Sequence, residues 1–238
     1  MTPKKKDRKL ITPSELFDSV PLEIEDEILE CYSEIIDEEE QEDLLLNQLP
    51  TVFERLKIPS IYTKDIITCI DYYYEFMKDR DVEVDYQNIK QNNTLKLIQQ
   101  FTITSNIKDM KNILDIIDID KLIKNVNKLI KFKNHHEHIY YSWKLFVDCS
   151  SNEEMTPDQI EFYKLTLPTL KIIKSNLNLD KDPNSKKQLN DSFLIDMLGC
   201  CKTDKNDDLI NFSVERDGAC VTFKDFAVIL GNLGELDQ

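Results

Sequence analysis

The chain has 238 residues, 41% of them hydrophobic, and 30 Lys and Arg against 45 Asp and Glu give a formal charge of −15. That is enough apolar chain for one large domain or two small ones, and too much for a wholly disordered polymer. It holds only four glycines, none before Gly199, and neither a G-x-G-x-x-G turn nor a Walker loop, which excludes nucleotide chemistry through either phosphate cradle.

The same scarcity disfavours glycine-dependent hairpin turns, and a surface this acidic repels duplex DNA. An all-α protein with little direct DNA binding is therefore expected. Residues 1–13 are the exception: Lys4, Lys5, Lys6, Arg8 and Lys9 against Asp7 give +4, leaving −19 for the rest. The run reads as a solvated, disordered tail, with a nuclear-import signal or a nucleic-acid contact as the alternative. No apolar h-region follows it and no stretch is long enough to span a membrane, so a soluble intracellular protein is expected. Cys31, Cys69, Cys149, Cys200, Cys201 and Cys220 show no C-x-x-C spacing and read as reduced, mostly core thiols.

Apolar spacing near 3.6 dominates from Pro21 onward. Pro21 suits a first helical turn, Glu23, Glu25 and Asp26 compensate the dipole, and Ile24, Ile28, Cys31 and Ile35 form one face through about Ile36. A shorter helix carries Leu49, Val52, Phe53 and Leu56 and stops before Pro59. A third runs from about Thr63 to Met77 with Ile66, Ile70, Tyr73 and Met77 inward. A fourth starts near Tyr86 and carries Ile89, Leu97, Ile98 and Phe101. Between Asn106 and Phe132 the spacing predicts a helical connector in two pieces, one with Met110, Ile113 and Ile117, the other with Leu122, Val126 and Leu129. Further helices are expected over His138–Cys149 (Ile139, Trp143 and Phe146 inward), Thr166–Asn178, Asp191–Cys201 and Lys224–Gly234, with Lys181–Lys187 a loop around Pro183.

Each helix pair is separated by a linker that ends in an apolar, β-prone triplet: Leu44–Leu46, Val82–Val84, Leu165–Leu167 and Val221–Phe223. Helix, polar loop, short extended segment and second helix is the plan of an EF-hand. The expected organisation is a basic tail (1–13), an N-terminal EF-hand-like pair (14–103), a helical connector (104–134) and a C-terminal pair (135–238). With the apolar eighth position at Leu44, the first loop runs from Asp37 to Gln48. It places Glu39 and Gln41 at ligand positions 3 and 5, Glu42 where glycine belongs, and Gln48 where the bidentate glutamate belongs. The second loop runs from Met77 to Asn88 around Val84. The third runs from Asp158 to Thr169 around Leu165, and the fourth from Val214 to Asp225 around Val221. None offers a calcium ligand set. Asp204, Asn206, Asp208 and Glu215 fall at ligand positions of a separate frame, a weak calcium candidate. Its sixth and eighth positions are Leu209 and Asn211, and no helix follows Glu215. Asp180, Asp182 and Asn184 fail similarly at Lys187. The expectation is an EF-hand scaffold without calcium, and no cofactor.

Two stretches carry a family resemblance. Val20–Glu30 leading into Leu49-Pro50 and Leu56, and the closing Asp225–Gly234, resemble a fungal family of small centrin-like nucleotide-excision-repair subunits of the RAD group. Trp143 in the helix opening the third hand is similar too. The likeness is good over Val20–Leu56 and Leu194–Leu236 and weak between. It implies a two-lobed calmodulin/centrin-like fold in the nucleus. It also implies a partner, the damage-recognition factor of the xeroderma-pigmentosum-group-C type, held through an amphipathic helix. Groove residues would then be Trp143, Phe146, Leu170, Ile173, Leu194, Met197, Leu198, Phe226, Ile229, Leu230 and Leu233, each also readable as ordinary core. A structural role at a spindle-pole assembly and a calcium sensor are the alternatives. Catalysis is not expected: His135, His136 and His138 with Glu137 crowd a helix start, where neighbouring side chains diverge instead of sharing a face one turn apart.

Overall fold

A computed structural model describes residues 14–78, 92–103, 113–151, 153–177 and 220–237. Helices dominate these segments, as the composition predicts. Ahead of the first expected helix lies a short unforeseen one, α1 (Glu15–Asp18), which buries Phe17. Pro21, in extended conformation, then caps α2 (Leu22–Glu39), whose inner face is Ile28, Cys31 and Ile35, with Ile24 half-buried against the core. The helix ends on Glu40 in the left-handed region (φ 50°). A 3-10 turn (Leu46–Gln48) leads into α3 (Leu49–Arg55), and a second (Ser60–Tyr62) into α4 (Lys64–Tyr72), which continues as a π-helical stretch, Tyr73–Met77. Helix α5 (Asn93–Gln99) starts on Asn92, whose Oδ1 accepts from the backbone N–H groups of Thr94 (2.9 Å) and Leu95 (3.3 Å). The expected start near Tyr86, Ile89 and the Val82–Val84 triplet lie outside the described residues.

The connector corrects the reading. Ile113–Ile117 is a strand, β2, not a helix, and pairs antiparallel with β1 (Thr102–Ile103). Thr102 stands opposite Ile117 and Ile103 opposite Ile113, a register shift that makes a bulge. The physical reason is local. The run Ile-Leu-Asp-Ile-Ile is rich in β-branched residues, and the irregular pairing lets Leu114 and Ile117, three apart, both turn inward as they would on a helix. The Leu44–Leu46 triplet joins this sheet: Leu45 bridges Ile116, and the Ile117 N–H donates to the Leu44 carbonyl at 2.9 Å.

Helix α6 (Ile119–Asn134) begins on Asp118, whose carboxylate accepts from the N–H groups of Asp120 and Lys121 at 3.1 and 3.2 Å. Its lysine-rich sequence does not make it a solvated spacer. Leu122, Val126, Leu129, Ile130 and Phe132 are buried, and so are Asn127 and Lys131. Lys131 Nζ donates to the carbonyls of Leu16, Phe17 and Ser19 (2.7, 3.1 and 2.7 Å), joining Ser19 and Asn127 in satisfying the end of α1. Burial holds the Lys131 pKa below the usual lysine range. After one intervening residue, His135, comes α7 (His136–Ser150) with Ile139, Trp143 and Val147 buried. Then follow α8 (Pro157–Glu161), β3 (Leu165–Thr166), α9 (Leu167–Asn176), β4 (Cys220–Val221) and α10 (Phe223–Asn232).

Buried side chains from Phe17 to Leu236 form one hydrophobic cluster. Tyr62, from the N-terminal half, sits at its middle, with ring centroids 5.3 Å from Phe132 and 5.7 Å from Phe223. Close by, Lys224 Nζ is 2.8 Å from both carboxylate oxygens of Asp65, and both side chains are buried. The first and last described segments also meet: the Ser14 N–H donates to the Asn232 carbonyl at 3.0 Å, and the Phe17 ring lies against Gly231, where a Cβ would come within 2.3 Å of it. No helix among the described residues is long and apolar enough to cross a membrane.

Candidate partner-binding site

In the C-terminal half, the residues just ahead of α9 and α10 are joined to each other. Leu165 pairs with Val221 and Thr166 with Cys220 in a short antiparallel ladder. Leu165 and Val221 are the two residues assigned to the apolar eighth positions, and each stands two residues ahead of a helix start, that of α9 or α10.

The described twelfth positions, Gln48, Thr169 and Asp225, follow one pattern, and Asn88 lies outside the described residues. Gln48 Oε1 accepts from the Leu45 N–H at 2.8 Å. Thr169 Oγ1 donates to the Thr166 carbonyl at 2.7 Å. Asp225 Oδ2 accepts from both the N–H and the hydroxyl of Thr222 at 2.8 Å. Where a bidentate glutamate would reach inward to an ion, these side chains turn back three residues to close a first helical turn. The first positions are helical as well: Asp37 lies in the last turn of α2, and Asp158 lies inside α8, whose start is fastened by Thr156 and Gln159. Asp204, Asn206, Asp208, Glu215 and the Asp180–Asn184 run lie outside the described residues.

The expected groove residues separate by depth. Trp143 is fully buried and donates from Nε1 to the Ile160 carbonyl at 2.7 Å, tying α7 to α8. Its ring packs edge-on to Phe223 (6.0 Å) and against Phe226 (5.4 Å), and Phe146 closes on Phe226 at 5.4 Å. Leu170, Ile173 and Phe226 are buried with Trp143 and form a floor. Phe146, Ile229 and Leu230 are half-buried, and Leu233 is 45% exposed, so these four can touch another molecule. Leu194, Met197 and Leu198 lie outside the described residues.

Two features escaped the sequence reading. Tyr141 and Leu145, one turn apart on the side of α7 away from Trp143, are 65% and 67% exposed. Their i, i+4 spacing was visible, but the buried Trp143 face masked it. The other is a polar chain between the halves: Glu161 Oε1 lies 3.2 Å from His136 Nε2, and His136 Nδ1 lies 3.0 Å from Tyr62 Oη. In the tautomer whose Nε2 donates to Glu161, Nδ1 accepts from the phenol. Burial, reinforced by the Glu161 charge, pushes the Tyr62 pKa far above the usual phenol range, so the hydroxyl stays a donor. The histidine run thus divides: His136 fastens α4's leading turn to α7, while His135 occupies the α6–α7 junction. Among the described residues no three His, Cys, Asp or Glu side chains converge as a metal site.

The model of the Rad33 family matches residues 14–182. The match takes in Val20–Leu56 and the stretch between the two segments noted in the sequence, and stops before Leu194–Leu236. No curated protein and no solved structure matches the chain significantly.

Proposed function

The chain belongs to the Rad33 family, a family with a role in DNA repair, and from that membership we propose that it is a non-catalytic adaptor of nucleotide-excision repair. In this reading its C-terminal half is a calcium-free, centrin-like lobe in the nucleus that holds an apolar helix of the xeroderma-pigmentosum-group-C-type damage-recognition factor. The observation that carries the proposal is the Leu165–Val221 pairing, which joins the residues just ahead of α9 and α10 at the two positions read as the apolar eighth places of EF-hand frames. The aromatic floor of Trp143, Phe146 and Phe226 and the accessible Leu233 supply the apolar contact surface. An amphipathic helix laid on such a surface gains its affinity from anchors at i, i+3, i+4 and i+7. The net charge of −15 speeds encounter with a basic target more than it sets affinity.

Calorimetric titration with peptides tiled across the damage-recognition factor tests this. One amphipathic segment should bind at submicromolar Kd, and Leu233→Glu, at a half-exposed position, should weaken it at least tenfold. Uniform absence of binding would remove the adaptor reading. A rise in melting temperature in millimolar calcium would restore the Asp204–Glu215 frame and make the protein a sensor.

A further inference from the structure

Away from the groove, α7 and α8 enclose a cleft of about 250 Å3 lined by His136, Glu137, Tyr140, Tyr141, Pro157 and Glu161. Its composition is selective. On α7, Glu137 is three and four residues before Tyr140 and Tyr141, so all three share one flank of the helix. The tyrosine rings stand edge to face, 5.7 Å apart at 75°. Glu161 reaches in from α8 with only 20% of its side chain exposed, and it is held by His136 through one oxygen, Oε1, at 3.2 Å. A carboxylate engaged at one oxygen keeps its second as an acceptor. Among the described residues no lysine or arginine lines the cleft, and His136 is the one basic side chain there. Phe146, by contrast, leaves α7 toward Phe226, so the cleft and the apolar groove occupy different flanks of one helix.

Two aromatic rings, two carboxylates and a proline, with His136 turned onto Glu161, suit a positively charged planar group. A guanidinium stacks on a tyrosine face, forks its N–H donors onto carboxylate oxygens, and can lay its methylene stem along Pro157. An ammonium ion offers the charge without the plane. The volume admits one such side chain and excludes a drug-sized ligand. We propose that this cleft is a binding site for a single arginine side chain of a partner protein. It stands independently of the apolar-helix reading, because neither its residues nor its ligand chemistry are those of the groove.

The test is amide NMR of the full chain titrated with acetyl-arginine-amide, with acetyl-citrulline-amide as the uncharged analogue of the same shape. Saturable shifts centred on residues 136–141 and 157–161 are expected with arginine and not with citrulline. Tyr141→Ala and Glu137→Gln, both at exposed positions, should each weaken binding about fivefold, the size of one cation–π or exposed ion contact. Trp143 fluorescence, unchanged in both variants, reports that the fold is intact. Equal shifts with citrulline, or affinity within twofold of the parent in both variants, would overturn the assignment. If Arg8→Gln instead tightens binding tenfold, the cleft is filled by the chain's own tail and the partner assignment falls.

Discussion

Lys131 shows how a single side chain can decide local structure. Its ammonium caps three carbonyls at the end of α1, a helix too short to stand alone. Lys131→Met keeps the stem and removes the donors, so it should cost about 2 kcal/mol, read as a lower urea midpoint. Gly231 acts by absence: the Phe17 ring occupies the space a Cβ would need. Gly231→Ala should destabilise by about 1–3 kcal/mol through overpacking, and Phe17→Leu in the same chain should recover part of that loss. At His135, burial and then the charge of His138 depress the pKa below the usual imidazole value. The unfolded chain therefore takes up the proton first as pH falls below about 6.5. Stability present above that pH is lost as pH falls toward the folded pKa. Urea midpoints at pH 7.5 and 5.5 should differ less in His135→Gln than in the parent chain.

Among the elements, the two predicted halves of the connector met different fates for reasons written in their residues. Asp118 supplies a strong N-cap and the 3.6 period runs unbroken behind it, so α6 forms as expected. Ahead of it, apolar residues three apart are compatible with a helix or with a bulged strand, and an available partner, Thr102–Ile103, settled the matter. Asp118→Ala should therefore lower stability by about 1 kcal/mol and raise amide exchange in the first turn of α6 without affecting β2. Helix boundaries elsewhere were read closely. His138–Cys149 became His136–Ser150, and Lys224–Gly234 became Phe223–Asn232, because polar residues and caps bracket a clear apolar face. Short α1 was missed, since four residues carry no period and its stability comes from α6.

At the scale of the molecule, the two halves meet through a buried ion pair and the Tyr62 aromatic cluster. Lys224→Met would leave the Asp65 carboxylate buried without its cation and should cost about 3 kcal/mol. The double change Asp65→Leu/Lys224→Met should recover most of it, a comparison made by denaturant unfolding of all four chains. Nothing in the spacing of Asp65 and Lys224 announces this contact, 159 residues apart.

Alone, the sequence determined what depends on neighbours along the chain: helical content, the inward faces of α2, α4 and α7, and the extended residues before α9 and α10. It also fixes which residues occupy the ligand positions of the frames around Leu44, Val84, Leu165 and Val221, because residue identity at fixed spacing is itself a sequence property. Tertiary structure decided what depends on distant partners. It turned Ile113–Ile117 into a strand and drew a lysine-rich helix into the core, since carbonyls at the end of α1 accept the hydrogen bonds of its buried ammonium. It also divided the expected groove residues into a closed floor of Trp143, Leu170, Ile173 and Phe226 and an accessible rim of Phe146, Ile229, Leu230 and Leu233. Periodicity marks a residue as apolar-facing; only the packing of other helices against it decides whether any of that face is left for a partner.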